Sequence, residues 1–151
     1  MKLAVGSDER TPLTDAVVAD LQARGCDVTL FGPLADSTAY WPDVAQQVAE
    51  YVVSGQADEG ILFCWTGTGV SLAANKVPGI RAALCGDAET ARGARLWNNA
   101  NVLCLSIRRT STVMAKEILD AWFSHAYQPN ETDDACLVQV AAIEAQYLRT
   151  S

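Results

Sequence analysis

The segment Cys64-Trp65-Thr66-Gly67-Thr68-Gly69-Val70-Ser71 places a thiol, three hydroxyls and two glycines at the end of an apolar run. Gly60–Cys64 reads as a strand covered on both faces, and the glycine turn as the opening of a helix. A helix N-terminus presents unpaired amides and a partial positive charge, which suit an anion or an enolate oxygen. A thiol beside such a terminus ionises more readily and becomes available as base or nucleophile. The same cysteine also reads as a small buried hydrophobe, the commonest fate of a free thiol. Spacing alone leaves both readings open. Two phosphate-binding motifs fail here: in G-x-G-x-x-G the third glycine falls at Leu72, and G-x-x-x-x-G-K-[ST] is absent. Cys85 and Cys104 lie in similar apolar runs and are assigned to the core.

The elements that must hold this segment are legible from periodicity and turn chemistry. Strands are expected at Leu3–Gly6, Val28–Phe31, Gly60–Cys64, Arg81–Cys85 and Asn101–Ser106. Between them, Thr11-Pro12 caps a helix carrying Leu13, Val17 and Leu21, ended by Gly25. Pro42 opens a second, with Val44, Val48 and Val52 on one face. A short helix follows the glycine turn to Lys76. Asp87 caps one running through Arg95, and Thr110–Thr112 caps one carrying Met114, Ile118 and Trp122. After the linker-like Gln128-Pro129-Asn130, a last helix at about 131–149 carries Leu137, Val140, Ile143 and Tyr147. Five strand–helix alternations predict a three-layer α/β/α domain with a five-stranded parallel sheet. Ligands of such sheets bind beyond the carboxyl ends of the strands. That singles out Ser7–Arg10, Cys64–Ser71, Cys85–Asp87 and Ser106–Arg109.

The 151 residues, half of them hydrophobic and 19% charged, fit one globular domain spanning 1–151. Eighteen acids against eleven bases give a net charge of −7 with no basic face, which excludes duplex binding and argues against an anionic membrane. No apolar run reaches the length of a membrane span. The first residues offer no signal-peptide core, so the cytoplasm is the expected compartment. Five cysteines without a C-x-x-C pair read as reduced thiols, and a single histidine, His125, argues against a zinc site.

The chain resembles the type B ribose-5-phosphate isomerases and the related galactose-6-phosphate isomerases. The resemblance rests on Gly6-Ser7-Asp8, Trp41-Pro42-Asp43 and Ser54-Gly55-x-Ala57-Asp58. It is densest from Gly60 to Cys64 and from Ala73 through Lys76-Val77-Pro78-Gly79 to Ala82, and continues in Asn98-Asn99-Ala100-Asn101-Val102-Leu103 and Ala115-Lys116-Glu117-Ile118. It implies a Rossmann-like domain without cofactor or metal, acting on a small sugar. It implies a homodimer, often a dimer of dimers, with active sites shared between subunits and the last helix packed on the partner. By the same resemblance, Cys64 moves a proton between C1 and C2 through an enediolate, and Thr66 assists ring opening. Gly67, Thr68, Gly69, Val70 and Ser71 line the anion hole. Asp8 and Asn98 bind sugar hydroxyls, and Glu9, Arg10, Trp41, Trp65, Trp97 and Arg108 stand at or beside substrate-binding positions.

Departures from the family pattern are concentrated at those positions. Glu9 and Trp97 stand where the family has histidines, Trp65 where it has glycine, Trp41 where it has tyrosine. The basic C-terminal stretch that meets phosphate is replaced around Gln128–Cys136 by Glu131, Asp133 and Asp134. The expected substrate is therefore a sugar without phosphate, or an otherwise atypical one. The alternative is a non-catalytic sugar-binding homologue, or one subunit of a hetero-oligomeric isomerase.

Overall fold

A computed structural model describes residues 1–148; the expected end of the last helix at 149 lies outside them. Five parallel strands form one sheet: β1 (Lys2–Ser7), β2 (Asp27–Phe31), β3 (Glu59–Cys64), β4 (Ala82–Leu84) and β5 (Val102–Ser106), in the order β2-β1-β3-β5-β4. Six α-helices connect and follow them: α1 (Pro12–Ala23), α2 (Trp41–Val53), α3 (Thr68–Ala74), α4 (Ala88–Asn98), α5 (Thr112–Ser124) and α6 (Glu131–Tyr147). The strand steps β1→β2 and β4→β5 run one way along the sheet, β2→β3 and β3→β4 the other. Right-handed crossovers therefore send α1 and α4 to one face and α2 and α3 to the opposite face.

Side-chain alternation along the strands matches that division. Leu3, Val5, Ile61, Phe63, Leu103 and Leu105 pack with α1, α4 and α5. Ala4, Leu62, Cys64, Val102 and Cys104 pack with α2 and α3. The central strands β3 and β5 are buried along their whole length, as the continuous apolar runs predict. Each fully buried Leu or Ile contributes about 1.5–3 kcal/mol.

Helix starts follow the expected caps. Thr11 accepts from the Thr14 amide in a capping box, and Asp87 accepts from the Thr90 amide. Ser111 caps α5. The tetrapeptide Gly32–Ala35 forms a 3₁₀ turn after β2. Most boundaries fall within a residue or two of expectation; α3 ends at Ala74 rather than Lys76, α4 continues past Arg95 to Asn98, and β4, paired among the described residues with β5 alone, shortens to three residues.

One buried polar network was not foreseen. Glu59 begins β3 at 7% exposure, pairs with Arg95 of α4 at 2.6 Å and accepts from the Trp122 indole N–H at 2.7 Å. The Arg95 guanidinium also stacks over Trp122, 5.0 Å from the ring centre, and donates to the carbonyls of Ala100 and His125. Burial pushes the Glu59 carboxyl up, against the opposing pull of Arg95 and the indole. One carboxylate thus ties a central strand to two helices at the amino end of the sheet.

Candidate active site

The order of the strands creates a crevice at the carboxyl ends of β1 and β3, where α1 and α3 leave on opposite faces. Ser7 stands opposite Phe63 in the β1–β3 register, so Asp8 and Cys64 emerge from adjacent strand ends. Neighbouring strands lie about 4.8 Å apart. Cys64 is 5% exposed and packs on the α2–α3 side.

The backbone beyond Cys64 is fixed from the β5 side. The Cys64 carbonyl accepts from the Ile107 amide at 3.0 Å, and the Trp65 carbonyl accepts from the Arg108 amide at 2.9 Å and the Ser106 hydroxyl at 3.0 Å. Gly67 then turns with φ +74°, a left-handed conformation that favours glycine, and α3 begins at Thr68. The Ser71 amide donates to the Gly67 carbonyl at 3.3 Å, closing the first helical turn. The amides of Thr68, Gly69 and Val70 precede that bond and are the N-terminal donors such a turn offers to an oxyanion. The Ser71 amide is engaged in the helix and follows the three free donors. The Val70 side chain is fully buried, so only its backbone faces the turn. The hydroxyls of Thr66 and Thr68 are 2.6 Å apart.

The Asp8 loop is equally constrained. The buried Ser7 hydroxyl donates to the Glu9 carbonyl at 2.5 Å and accepts from the Glu9 amide at 3.2 Å. Partial burial raises the Asp8 carboxyl above its ordinary value, with the Glu9 charge adding to it and a backbone hydrogen bond opposing. Arg10 points to α1, where it pairs with Asp15 at 2.9 Å. Trp41 opens α2 and lies against Gly69. Trp65 is 57% exposed directly after the thiol, and Arg108 is exposed beyond β5.

Trp97 and Asn98 are not brought to this crevice within one chain. Helix α4 starts beyond the carboxyl end of β4 and runs back 11 residues, about 16 Å, toward the amino end of the sheet. There both line a separate cavity of about 310 Å³ with Leu137 and Val140 of α6. The Trp97 ring folds over Gly93, where an added Cβ would stand 2.6 Å from it. The fourth tryptophan, Trp122, is core. Helix α6 buries none of its side chains, leaving Val138, Val140, Ile143 and Tyr147 exposed. Among the described residues, no three His, Cys, Asp or Glu side chains converge as a metal site requires, and no helix is long and apolar enough to cross a membrane.

The same fold occurs in known proteins. The profile of the ribose/galactose isomerases matches residues 3–138. The chain belongs to the ribose/galactose isomerase family. It is 40% identical to ribose-5-phosphate isomerase B of Escherichia coli over 128 residues, covering 84% of this chain and 86% of that protein. It is 38% identical to D-erythrulose-4-phosphate isomerase of Pectobacterium atrosepticum over 131 residues, covering 85% and 86%. The solved structure of Clostridium thermocellum ribose-5-phosphate isomerase B superposes with a TM-score of 0.92 at 38% identity, covering 98% of this chain and all of that one. The α/β fold and five-stranded parallel sheet are those of the isomerase family.

Within the singled-out Ser106–Arg109 segment, it is Arg109 rather than Arg108 that lines a second cavity beside Thr66 and Thr68. The run Arg108-Arg109 carried no signal to separate the two; the turn after β5 decides which side chain faces which way.

Proposed function

We propose that this chain is an aldose–ketose isomerase in which Cys64 transfers the proton. The thiolate removes the proton from C2 of the open-chain aldose, and the C–H electron pair forms the C1–C2 double bond as the carbonyl π pair moves onto O1. The enediolate is stabilised by the amides of Thr68, Gly69 and Val70 with Gly67 shaping the turn. Return of the proton to C1, with the O2 hydroxyl proton passing to O1 as the C2 carbonyl forms, yields the ketose. A base on one side of the reacting carbon and preorganised donors at the developing oxyanion are what this proton shift needs. Thr66 assists ring opening, and Asp8 and Glu9 hold hydroxyls. Trp97 and Asn98 act on the site of a partner subunit in a dimer that α6 helps to form. The observation that carries the reading is Cys64 at the β3 terminus, between Asp8 on the adjacent strand end and the amide-rich start of α3.

The proposed substrate carries no phosphate. A phosphate dianion is met by arginine forks or lysine, because charge-assisted bonds must replace its hydration. Here Arg10 is paired with Asp15, and the first turn of α6 holds Glu131, Asp133 and Asp134. Trp65 and Trp41 supply aromatic surface for a sugar face. The test is proton exchange in deuterated water with a panel of free and phosphorylated sugars. Turnover of ribose 5-phosphate at kcat/KM of about 10⁴ M⁻¹s⁻¹ or more, without turnover of free sugars, would refute the phosphate-free substrate. A second reading, as the non-catalytic member of an unlike pair, is favoured by the missing histidines at Glu9 and Trp97. Turnover by the purified single chain decides between them.

A further inference from the structure

A cavity of about 480 Å³ opens over the carboxyl ends of β3, β5 and β4, on the other side of the glycine turn from the thiol. Cys64 packs with α2 and α3, whereas Cys85, which lines this cavity, packs with α1, α4 and α5. Thr66 and Thr68 form one wall, Gly86 and Asp87 a second, Arg109 and Thr110 a third. Pockets of roughly 300–1,000 Å³ are the ordinary size for a small metabolite.

The charges of this cavity are specific. Arg109 forms no ion pair among the described residues. Its backbone is nevertheless fixed: the Arg109 amide donates at 3.1 Å to the Ser106 hydroxyl, which itself donates to the Trp65 carbonyl at 3.0 Å. The guanidinium thus springs from the same rigid unit that holds the catalytic strand end. Asp87 is engaged as the cap of α4, accepting from the Thr90 amide at 2.7 Å. With one cation and one capped carboxylate in the walls, the cavity accepts a single negative charge and repels a second. Hydroxyls of Thr66 and Thr68 offer both donors and acceptors to a polyol. Gly86 leaves the floor open: nothing lies within 4 Å of a Cβ built there.

We propose that this cavity binds a small polyhydroxylated monocarboxylate, a sugar acid, with its carboxylate on Arg109 and its hydroxyls on the Thr66–Thr68 pair. A guanidinium forms a bidentate pair with a carboxylate, which fixes the orientation of the chain behind it. No bond is made or broken in the cavity, so binding there can be read without turnover, although Thr66 and Thr68 are shared with the proposed isomerase site. Occupancy would touch the catalytic turn through Thr66 and so link the acid's concentration to activity.

Calorimetric titration of D-gluconate into the whole protein tests it. Saturable binding is expected, unchanged in Cys64→Ala, at least tenfold weaker in Arg109→Gln and lost in Gly86→Leu, whose side chain fills the floor. D-Glucose is expected not to bind, and glucose 6-phosphate to bind at least tenfold more weakly than gluconate. Arg109 is exposed, so Arg109→Gln leaves the core intact and reads out binding even if Gly86→Leu misfolds. Absence of saturable gluconate binding, or full affinity in Arg109→Gln, overturns the proposal. Loss of binding in Cys64→Ala would overturn it too, by moving the acid to the thiol crevice. Equal or tighter binding of glucose 6-phosphate would remove the single-charge selectivity.

Discussion

The indole of Trp41 lies against the backbone of Gly69, with its nearest carbons 3.0 Å from where a Cβ on residue 69 would stand. This contact joins the first turn of α2 to the first turn of α3, so the ring that borders the crevice also sets the position of an amide proposed to meet the oxyanion. Gly69→Ala forces either the ring or the turn to move. Overpacking of this kind costs about 1–3 kcal/mol of stability. Misplacing one oxyanion donor costs about 10²–10³ in kcat. Thermal unfolding and steady-state kinetics of the variant should show a modest loss in the first and a large one in the second. Undiminished kcat would mean that the Gly69 amide does not meet the enediolate.

The cysteines divide by role. Cys64→Ala should lower turnover by about 10²–10⁴ and abolish exchange of the substrate proton with solvent, with little change in folding. Cys85 is a different thiol: burial, with the Asp87 charge adding, pushes it up to about 12. Cys85→Ala should therefore keep turnover within a few-fold of wild type. Iodoacetamide at pH 8 followed by peptide mapping should leave Cys85 unmodified. Exchange that persists in Cys64→Ala removes the thiol as the base.

Much of this was legible from the residues. The order of elements followed from apolar periodicity and from caps such as Thr11 and Asp87, because local chemistry alone fixes where those helices begin. The crevice followed from alternation, since any parallel sheet gathers its loops at the carboxyl ends. What could not be read was anything set by side-chain direction in three dimensions. Asp15 pairs with Arg10 across the end of the loop, and Arg109 rather than Arg108 faces the cavity. Nor does spacing reveal that Glu59, Arg95 and Trp122, far apart in the chain, converge on one buried carboxylate. Trp97 and Asn98 illustrate the limit best: their place at the far end of α4 follows only once helix length and direction are known.

The exposed face of α6 predicts assembly. Val140, Ile143 and Tyr147 are 51%, 59% and 72% exposed, and a contiguous apolar face of this kind marks an interaction surface. The double substitution Val140→Asp, Ile143→Asp should convert a dimer to monomer in sedimentation velocity at micromolar concentration. If, as proposed, Trp97 and Asn98 complete the site of a partner subunit, turnover should fall with the dimer while far-ultraviolet circular dichroism stays native. A wild-type chain that sediments as a monomer would contradict the shared site.

The Glu59 network makes a prediction with a definite sign in pH. Glu59→Gln keeps an acceptor for the Trp122 indole but leaves the Arg95 charge without its partner. Breaking a buried pair costs about 3–5 kcal/mol, so the variant should melt well below wild type at neutral pH. Burial is the largest influence on the Glu59 carboxyl and raises it above its ordinary 4.5, while Arg95 and the indole pull it down. A carboxyl raised in the folded state holds its proton more tightly there than in the unfolded chain. Its favourable contribution is complete below 4.5 and is lost as pH climbs through the raised value. Glutamine does not titrate, so the variant lacks this dependence. The difference in melting temperature between wild type and Glu59→Gln should therefore widen as pH is lowered from 7 toward 4.5. A gap that narrows over that range would show Arg95, rather than burial, controlling the carboxyl, and would make the pair a source of stability at neutral pH that acid removes.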